Sequence, residues 1–273
     1  MPKSHLRYYS PMPILRNLLT LTAFSLCAFS TQAQQNDASS RLLNARPLYY
    51  TPTTAGLKSF QCNVSFDWKS FLNAFAKTPI ADDNPVLIYL KTTKLSVSDD
   101  LDGKGQLLWT DTTKPPEAFV EGGAKMEGGM QQMFDAYFQT WNAYMNGSMV
   151  PAPDKTVAVT PDGDGVQLSG LTPGETLVEK FDKNMLLTET HVANATIDEL
   201  DHPVFTPTPD GLVISTIHSL SHQPPTAPPA KLDLSTTYAK VGKFQLPASI
   251  TFTVENVGTF LFNLSGCQVN PAK

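Results

Sequence analysis

The chain has 273 residues, 41% hydrophobic and 16% charged, with a formal net charge of −5. That length can bury a substantial core. An acidic chain with no basic cluster argues against nucleic acid and against anionic membrane surfaces as partners.

Lys3, Arg7 and Arg16 precede the apolar run Leu18 to Phe29, and Ser30-Thr31-Gln32-Ala33 closes the segment. Charged, apolar and small residues in that order predict a secretory signal peptide over residues 1–33, cut after Ala33. The apolar run is about a dozen residues, too short for about 30 Å of hydrocarbon at 1.5 Å per residue. Cys27 follows the bulky Leu26, where a lipoprotein signal needs a small residue, so it is expected to leave with the signal. Cleavage removes three positive charges and no acidic ones, which takes the net charge from −5 to −8. A single domain over residues 34–273 is expected, without a transmembrane segment, exported to the periplasm or cell envelope.

Cys62 and Cys267 remain. An even pair in an oxidising compartment predicts a disulfide, the alternative being two buried thiols. The bond would close a loop of about 200 residues, worth about 5 kcal/mol in the chain-entropy model. It would also set the first strand beside the last.

In chain order, Asn36 to Ala45 reads as a short capped helix that stops before Pro47. Leu57 to Trp68 alternates, with Phe60, Cys62, Val64, Phe66 and Trp68 on one side, and predicts an antiparallel strand with one buried face. Lys69 to Lys77 predicts a short amphipathic helix. Val86 to Val97 reads as a strand, Asp99 to Gly105 as a turn and Gln106 to Thr110 as the return strand. That turn lacks the later ligands and the closing Glu of a calcium loop, and so does Pro161 to Gly165, so both predict hairpins rather than metal sites.

Ala124 to Asn146 is the clearest helix. Met126, Met130, Met133, Phe134, Tyr137, Phe138, Trp141, Tyr144 and Met145 fill an arc of about 140°. Strands then recur at hairpin spacing: Thr156–Thr160, Val166–Leu171, Thr176–Phe181, Met185–Val192, Val204–Thr206, Gly211–His218, Leu232–Lys240, Phe244–Val254 and Thr259–Val269. Pro247-Ala248 predicts an edge or a bulge. A bulge at Gly266 is needed to bring Cys267 to the face of Phe260, Phe262 and Leu264. His222 to Pro229 is expected to be an exposed polyproline-like loop. Tight connections predict a meander instead of a parallel sheet.

Catalytic motifs are absent: no H-E-x-x-H, no C-x-x-C, no G-x-S-x-G and no phosphate-binding glycine loop. No cofactor, metal or enzymatic activity is expected. Four N-x-S/T patterns begin at Asn63, Asn146, Asn194 and Asn263, and they carry meaning only where the source glycosylates secreted proteins. The wide apolar face of the central helix has two explanations. It is either plain core against the sheet, or the roof of a hydrophobic cavity, for which adaptable Met side chains suit a flexible chain.

Residues 237–250, Thr-Tyr-Ala-Lys-Val-Gly-Lys-Phe-Gln-Leu-Pro-Ala-Ser-Ile, resemble a strand–turn–strand passage, Tyr-x-x-Val-x-Gly-Phe-x-Leu-Pro-x-x-Ile. That passage occurs in outer-membrane lipoprotein-sorting proteins of the LolA/LolB-like superfamily, and here Lys243 separates Gly242 from Phe244. Asp210 to Ile214 is similar to the strand before that passage, and the order of elements is similar too. The resemblance implies an incomplete β-barrel whose concave apolar side is covered by helices and receives acyl chains, for binding and transfer without catalysis. The family's carriers use an arginine near the cavity to control a lid. Here only Arg41 and Arg46 follow the signal, both in the N-terminal segment, and neither maps to that role.

The expected fold is therefore α+β, a strongly curved antiparallel sheet (an incomplete barrel) with amphipathic helices on its concave face. The expected ligand is a lipid or acyl chain, with lipoproteins as a further partner class. Met130, Met133, Phe134, Tyr137, Trp141 and Phe66 are its expected lining. The alternatives are a protein-interaction module of an envelope assembly and an envelope hydrolase. The hydrolase would need Asp67, His191 and His218 to converge.

Overall fold

Alternation builds the first strand as the sequence predicts. In β1 (Phe60–Phe66), Phe60, Cys62 and Val64 are buried while Asn63 and Ser65 are exposed. The chain is described by a computed structural model over residues 37–76, 78–101, 105–145 and 157–270. The predicted signal peptide (residues 1–33), Cys27 and the Asn146 glycosylation pattern lie outside the described residues.

A helix over 37–45 (α1) leads into a 3-10 turn at Arg46–Leu48, which accommodates Pro47. Asp67 ends β1 and starts the next element. Its carboxylate accepts the N–H groups of Lys69 and Ser70 and the Ser70 hydroxyl, so it caps helix α2 (Trp68–Phe75). Trp68, expected on the strand, is therefore the first helical residue.

Residues 86–97 depart most from expectation. In place of one strand the chain forms helix α3 (Pro85–Thr92) and then strand β2 (Lys94–Asp99). The Asn84 side chain accepts the N–H groups of Val86 and Leu87 at 2.9 and 3.2 Å, and Pro85 occupies the first turn. An unbroken apolar run carries neither helical nor strand period, so these start signals decide. Strand β3 (Gly105–Thr110) returns antiparallel to β2.

Helix α4 (Glu117–Met145) follows, 29 residues long, and starts seven residues before the predicted Ala124. After it come β4 (Val157–Asp162), β5 (Gly165–Gly170), β6 (Thr176–Phe181), β7 (Leu187–Ala193), β8 (Asp198–Thr208), β9 (Gly211–His222), β10 (Ala230–Val241), β11 (Phe244–Val254) and β12 (Gly258–Val269). The predicted meander is present, and β8 is longer than the predicted Val204–Thr206 despite Pro203 and Pro207. The proline-rich segment is a turn between β9 and β10, closed by Ala227 N–H to Pro224 C=O at 2.8 Å, and not a polyproline-like loop.

All twelve strands form one antiparallel sheet in the order β3-β2-β1-β12-β11-β10-β9-β8-β7-β6-β5-β4, without closing into a barrel. Its edges are β3 and β4, and α4 is the connection between them. β1 lies beside β12, and the Cys62 and Cys267 sulfurs are 2.06 Å apart across that pair. The bulge expected at Gly266 is present: that residue has φ +57°, and the register slips opposite Cys62.

The sheet supplies the cover for the apolar stripe of α4. Phe134 meets Phe262 at 5.0 Å, Tyr137 meets Phe252 at 6.0 Å, and Phe138 and Trp141 meet Phe60 at 5.8 and 5.9 Å. Among the described residues no helix is long and apolar enough to cross a membrane.

Candidate functional site

Met130, Phe134, Tyr137 and Trp141, four of the six predicted lining residues, are buried on one face of α4, and Met133 is partly buried beside them. Phe66 stands apart from that face, in the aromatic cluster of Trp68 and Phe71 under α2, with its ring stacked on Phe262 at 4.2 Å. Polar groups fix the helix in place. The Trp141 Nε1–H donates to Tyr238 OH at 3.1 Å, Asn142 Nδ2 to Asp99 Oδ2 at 2.9 Å, and Tyr144 OH to Asp201 Oδ2 at 3.0 Å. Tyr137 OH and Thr236 Oγ1 lie 3.1 Å apart. Burial raises the Tyr137, Tyr144 and Tyr238 hydroxyls well above the ordinary tyrosine value, so all three stay protonated. The space left beneath Tyr137 and Trp141, bounded by Ile217, Leu234, Ser215 and Thr236, is about 10 Å³. That is room for about one water molecule.

Beside this packed face the sheet comes apart. The β9–β10 ladder runs from Ser221↔Ala230 to Thr216↔Ser235 and ends there. The flanking ladders continue, β8–β9 to Thr208↔Gly211 and β10–β11 to Val241↔Phe244. Two hairpins thus diverge from a shared root. Both are bulged at the same level. β9 carries an extra residue at Ser215, between Thr216↔Val204 and Ile214↔Phe205, and β11 carries one at Ala248, between Ser249↔Thr237 and Pro247↔Tyr238. A bulge bends its strand and sharpens the local twist, which turns the hairpins away from each other.

In the diverging part, Ile214 N–H donates to the Met145 thioether at 3.5 Å, a weak acceptor. Leu212 C=O accepts Tyr50 N–H at 2.9 Å, within a single parallel bridge between Tyr49 and Leu212. Tyr50 also spans the mouth of the split, because its OH accepts Gln245 N–H of β11 at 3.1 Å. Tyr49 is held behind it, donating to Met185 C=O at 2.8 Å and accepting Leu187 N–H at 2.9 Å. Burial pushes its hydroxyl up to about 12. Asp210, in the β8–β9 turn, takes Gln245 Nε2 at 2.7 Å and Lys240 Nζ at 3.0 Å, which straps one hairpin tip to the other. Those two contacts hold its carboxyl below the usual carboxylate range.

A groove of about 450 Å³ lies over the split, between Pro207, Val213 and Ser215 on one side and Thr236, Tyr238 and Gln245 on the other. Ser215 and Thr236 border both this groove and the small space beneath α4. A second groove of about 990 Å³ opens at the mouth, lined by Arg46, Tyr49, Tyr50, Thr53, Asp210 and Lys243. Both are of the size that small-molecule sites have, some 300–1,000 Å³.

The groups weighed for hydrolysis have separate local partners. Asp67 caps α2, His191 pairs with Asp198 at 2.8 Å, and His218 pairs with Asp233 at 2.7 Å. Among the described residues no group of three or more His, Cys, Asp or Glu side chains is placed to hold a metal ion. The two grooves escaped prediction. Their one legible signal was the interruption at Pro247-Ala248, which is a bulge in an interior strand. Nothing in the residues around Ser215 announces its counterpart. Comparison of the chain with protein-family models, curated proteins and solved structures finds no match, so the resemblance of residues 237–250 rests on its motif.

Proposed function

We propose that this chain is a non-catalytic binding protein of the periplasm or cell envelope that takes the acyl chain of a lipid or lipid-modified protein. The chain would enter between β9 and β10 and lodge beneath α4. The observation that carries this reading is the split itself. A groove of ligand size sits where the ladder stops, and it shares Ser215 and Thr236 with the apolar space under Tyr137 and Trp141. The passage that resembles the lipoprotein-sorting family, residues 237–250, forms one wall of that groove. The disulfide suits an oxidising compartment.

The sheet is taken to curve strongly around α4, an incomplete barrel with the helix on its concave side. Support comes from the reach of two neighbouring side chains. Asn142 and Tyr144 are about 3 Å apart along the helix axis, yet they bond to Asp99 on β2 and Asp201 on β8. Those strands are six spacings apart, about 29 Å across a flat sheet at about 4.8 Å per strand. A helix with its side chains is about 10–12 Å wide, a reach that favours a sheet bent around it. With about 10 Å³ free beneath Tyr137 and Trp141, α4 would have to yield to admit a chain there.

The tight packing beneath Tyr137 and Trp141 also favours a second reading, a protein-interaction module in which α4 is ordinary core and the split docks a partner. Binding decides between them. The protein purified from its own envelope should carry lipid in native mass spectrometry. The delipidated chain should take up a fluorescent fatty acid saturably, and Ser215→Phe, which fills the groove from the bulge, should weaken that uptake. No co-purified lipid and no saturable uptake would overturn the acyl-binding reading and leave the interaction module.

A further inference from the structure

We propose that the open edge of β10 inside the split takes up an extended peptide as an added strand. The partner is then a lipid-modified protein, held by its backbone as well as by its acyl chain. The proposal rests on the split being the way in for the acyl chain, and it adds that the chain arrives attached to polypeptide.

The outer edges of the sheet are guarded. Along β3, the Gln131 side chain of α4 accepts Leu107 N–H at 2.8 Å and donates to Gly105 C=O at 2.9 Å. The other edge, β4, has six residues and ends on Pro161-Asp162; short edges that carry proline and charge resist pairing. Inside the split the β9 side is engaged as well. Leu212 C=O accepts Tyr50 N–H at 2.9 Å, and Ile214 N–H donates to the Met145 thioether at 3.5 Å. The β10 side differs. Its ladder to β9 stops at Thr216↔Ser235, so among the described residues 236–241 pair with β11 alone.

Backbone chemistry selects the occupant. Alternate residues of a strand direct their N–H and C=O groups to each neighbour, so about three of those six residues face the split. They span about 20 Å at about 3.3 Å per residue, the length of an ordinary strand. An extended peptide presents donors and acceptors at the same period, which is how a strand adds to an open edge. A free fatty acid has no N–H groups to offer. The opposite wall already takes extended backbone, through the parallel bridge of Tyr49 to Leu212. Among the described residues the 450 Å³ groove has no charged side chain in its lining, which is mostly Thr, Ser and Pro with Val213 and Tyr238. An uncharged segment with small side chains suits it. An acyl group at the end of such a segment would reach Ser215 and Thr236, which the groove shares with the space under α4.

The test compares four probes on the protein: palmitate, a palmitoylated Ser-Val-Thr-Val-Ser-Thr amide, that lipopeptide methylated on alternate backbone nitrogens, and the acetylated peptide without the lipid. The lipopeptide should bind on the order of tenfold more tightly than palmitate, the net worth of one or two backbone hydrogen bonds. Methylation of the nitrogens that face β10 should erase that gain, and methylation of the other set should leave it. Hydrogen exchange in residues 236–241 should slow with the lipopeptide beyond its level with palmitate. Equal affinity for lipopeptide and palmitate, or a gain that survives both methylation patterns, would overturn the added strand while the acyl portal stands. Binding of the acetylated peptide without any binding of palmitate would keep the added strand and remove the acyl chain. If no probe binds, portal and strand site fall together.

Discussion

Glu179 lies on β6 between Leu168 of β5 and Thr190 of β7, and burial raises its carboxyl to about 7. In the unfolded chain the same group ionises near 4.3. Between those values the folded protein holds more protons than the unfolded one, so stability falls as pH rises through that window and levels off above it. Glu179→Gln is expected to remove that slope and to add on the order of 2 kcal/mol above pH 7. Urea unfolding at pH 5 and pH 8 reads it, and the same slope in both proteins would contradict the assignment. Asp210 works in the opposite sense. Its lowered pKa contributes stability above the unfolded value, lost as pH falls through the folded one, and its exposure keeps that contribution small. At this scale the sequence was legible where one chemical type has one structural use. Cys62 and Cys267 could be paired in advance, and Gly266 was the residue that had to bulge for them to meet. The residues that line the two grooves gave no comparable signal, because a surface side chain acquires meaning only from what folding places beside it.

Helix α4 combines a firmly anchored C-terminal half with a soft N-terminal one. Met130, Phe134, Tyr137, Trp141 and Tyr144 are buried, while Gly128 and Gly129 immediately precede them. A Cβ at either glycine would meet nothing within 4 Å, so packing does not require glycine there. Each costs about 1 kcal/mol against alanine, which makes this the place where α4 bends most easily. The double substitution Gly128→Ala and Gly129→Ala should stabilise the protein by up to about 2 kcal/mol. It should also slow fatty-acid uptake if α4 has to bend to admit the chain. Thermal melts and stopped-flow uptake check both, and faster uptake or a lower melting temperature would count against a hinge at these residues. The helix also runs through Gly122 and Gly123, just ahead of the predicted start at Ala124, a pair of low helix propensity. The apolar run after Asn84 failed for a different reason. Val86 to Leu90 is apolar on every side, and only the Asn84 cap and Pro85 distinguish a helix start from a strand.

Across the whole molecule, α4 joins the two edge strands of a twelve-stranded sheet, and a disulfide ties β1 to β12 beneath it. Hairpin spacing made the meander readable, because adjacent strands with short connections pair with each other. Where β1–β3 attach was readable only through the cysteine pair. Of the break between β9 and β10 only the Pro247-Ala248 bulge was legible, since a ladder that stops in mid-strand depends on bulges in two hairpins whose registers the sequence does not show. That break is the centre of the functional proposal, and hydrogen exchange of the protein with and without a saturating fatty acid tests it most directly. If the split is the portal, exchange slows on adding the fatty acid in residues 211–216 and 236–241 and changes along residues 130–145, with β1 and β12 unaffected. Unchanged exchange in residues 211–216 and 236–241, or protection confined to another part of the sheet, would contradict it.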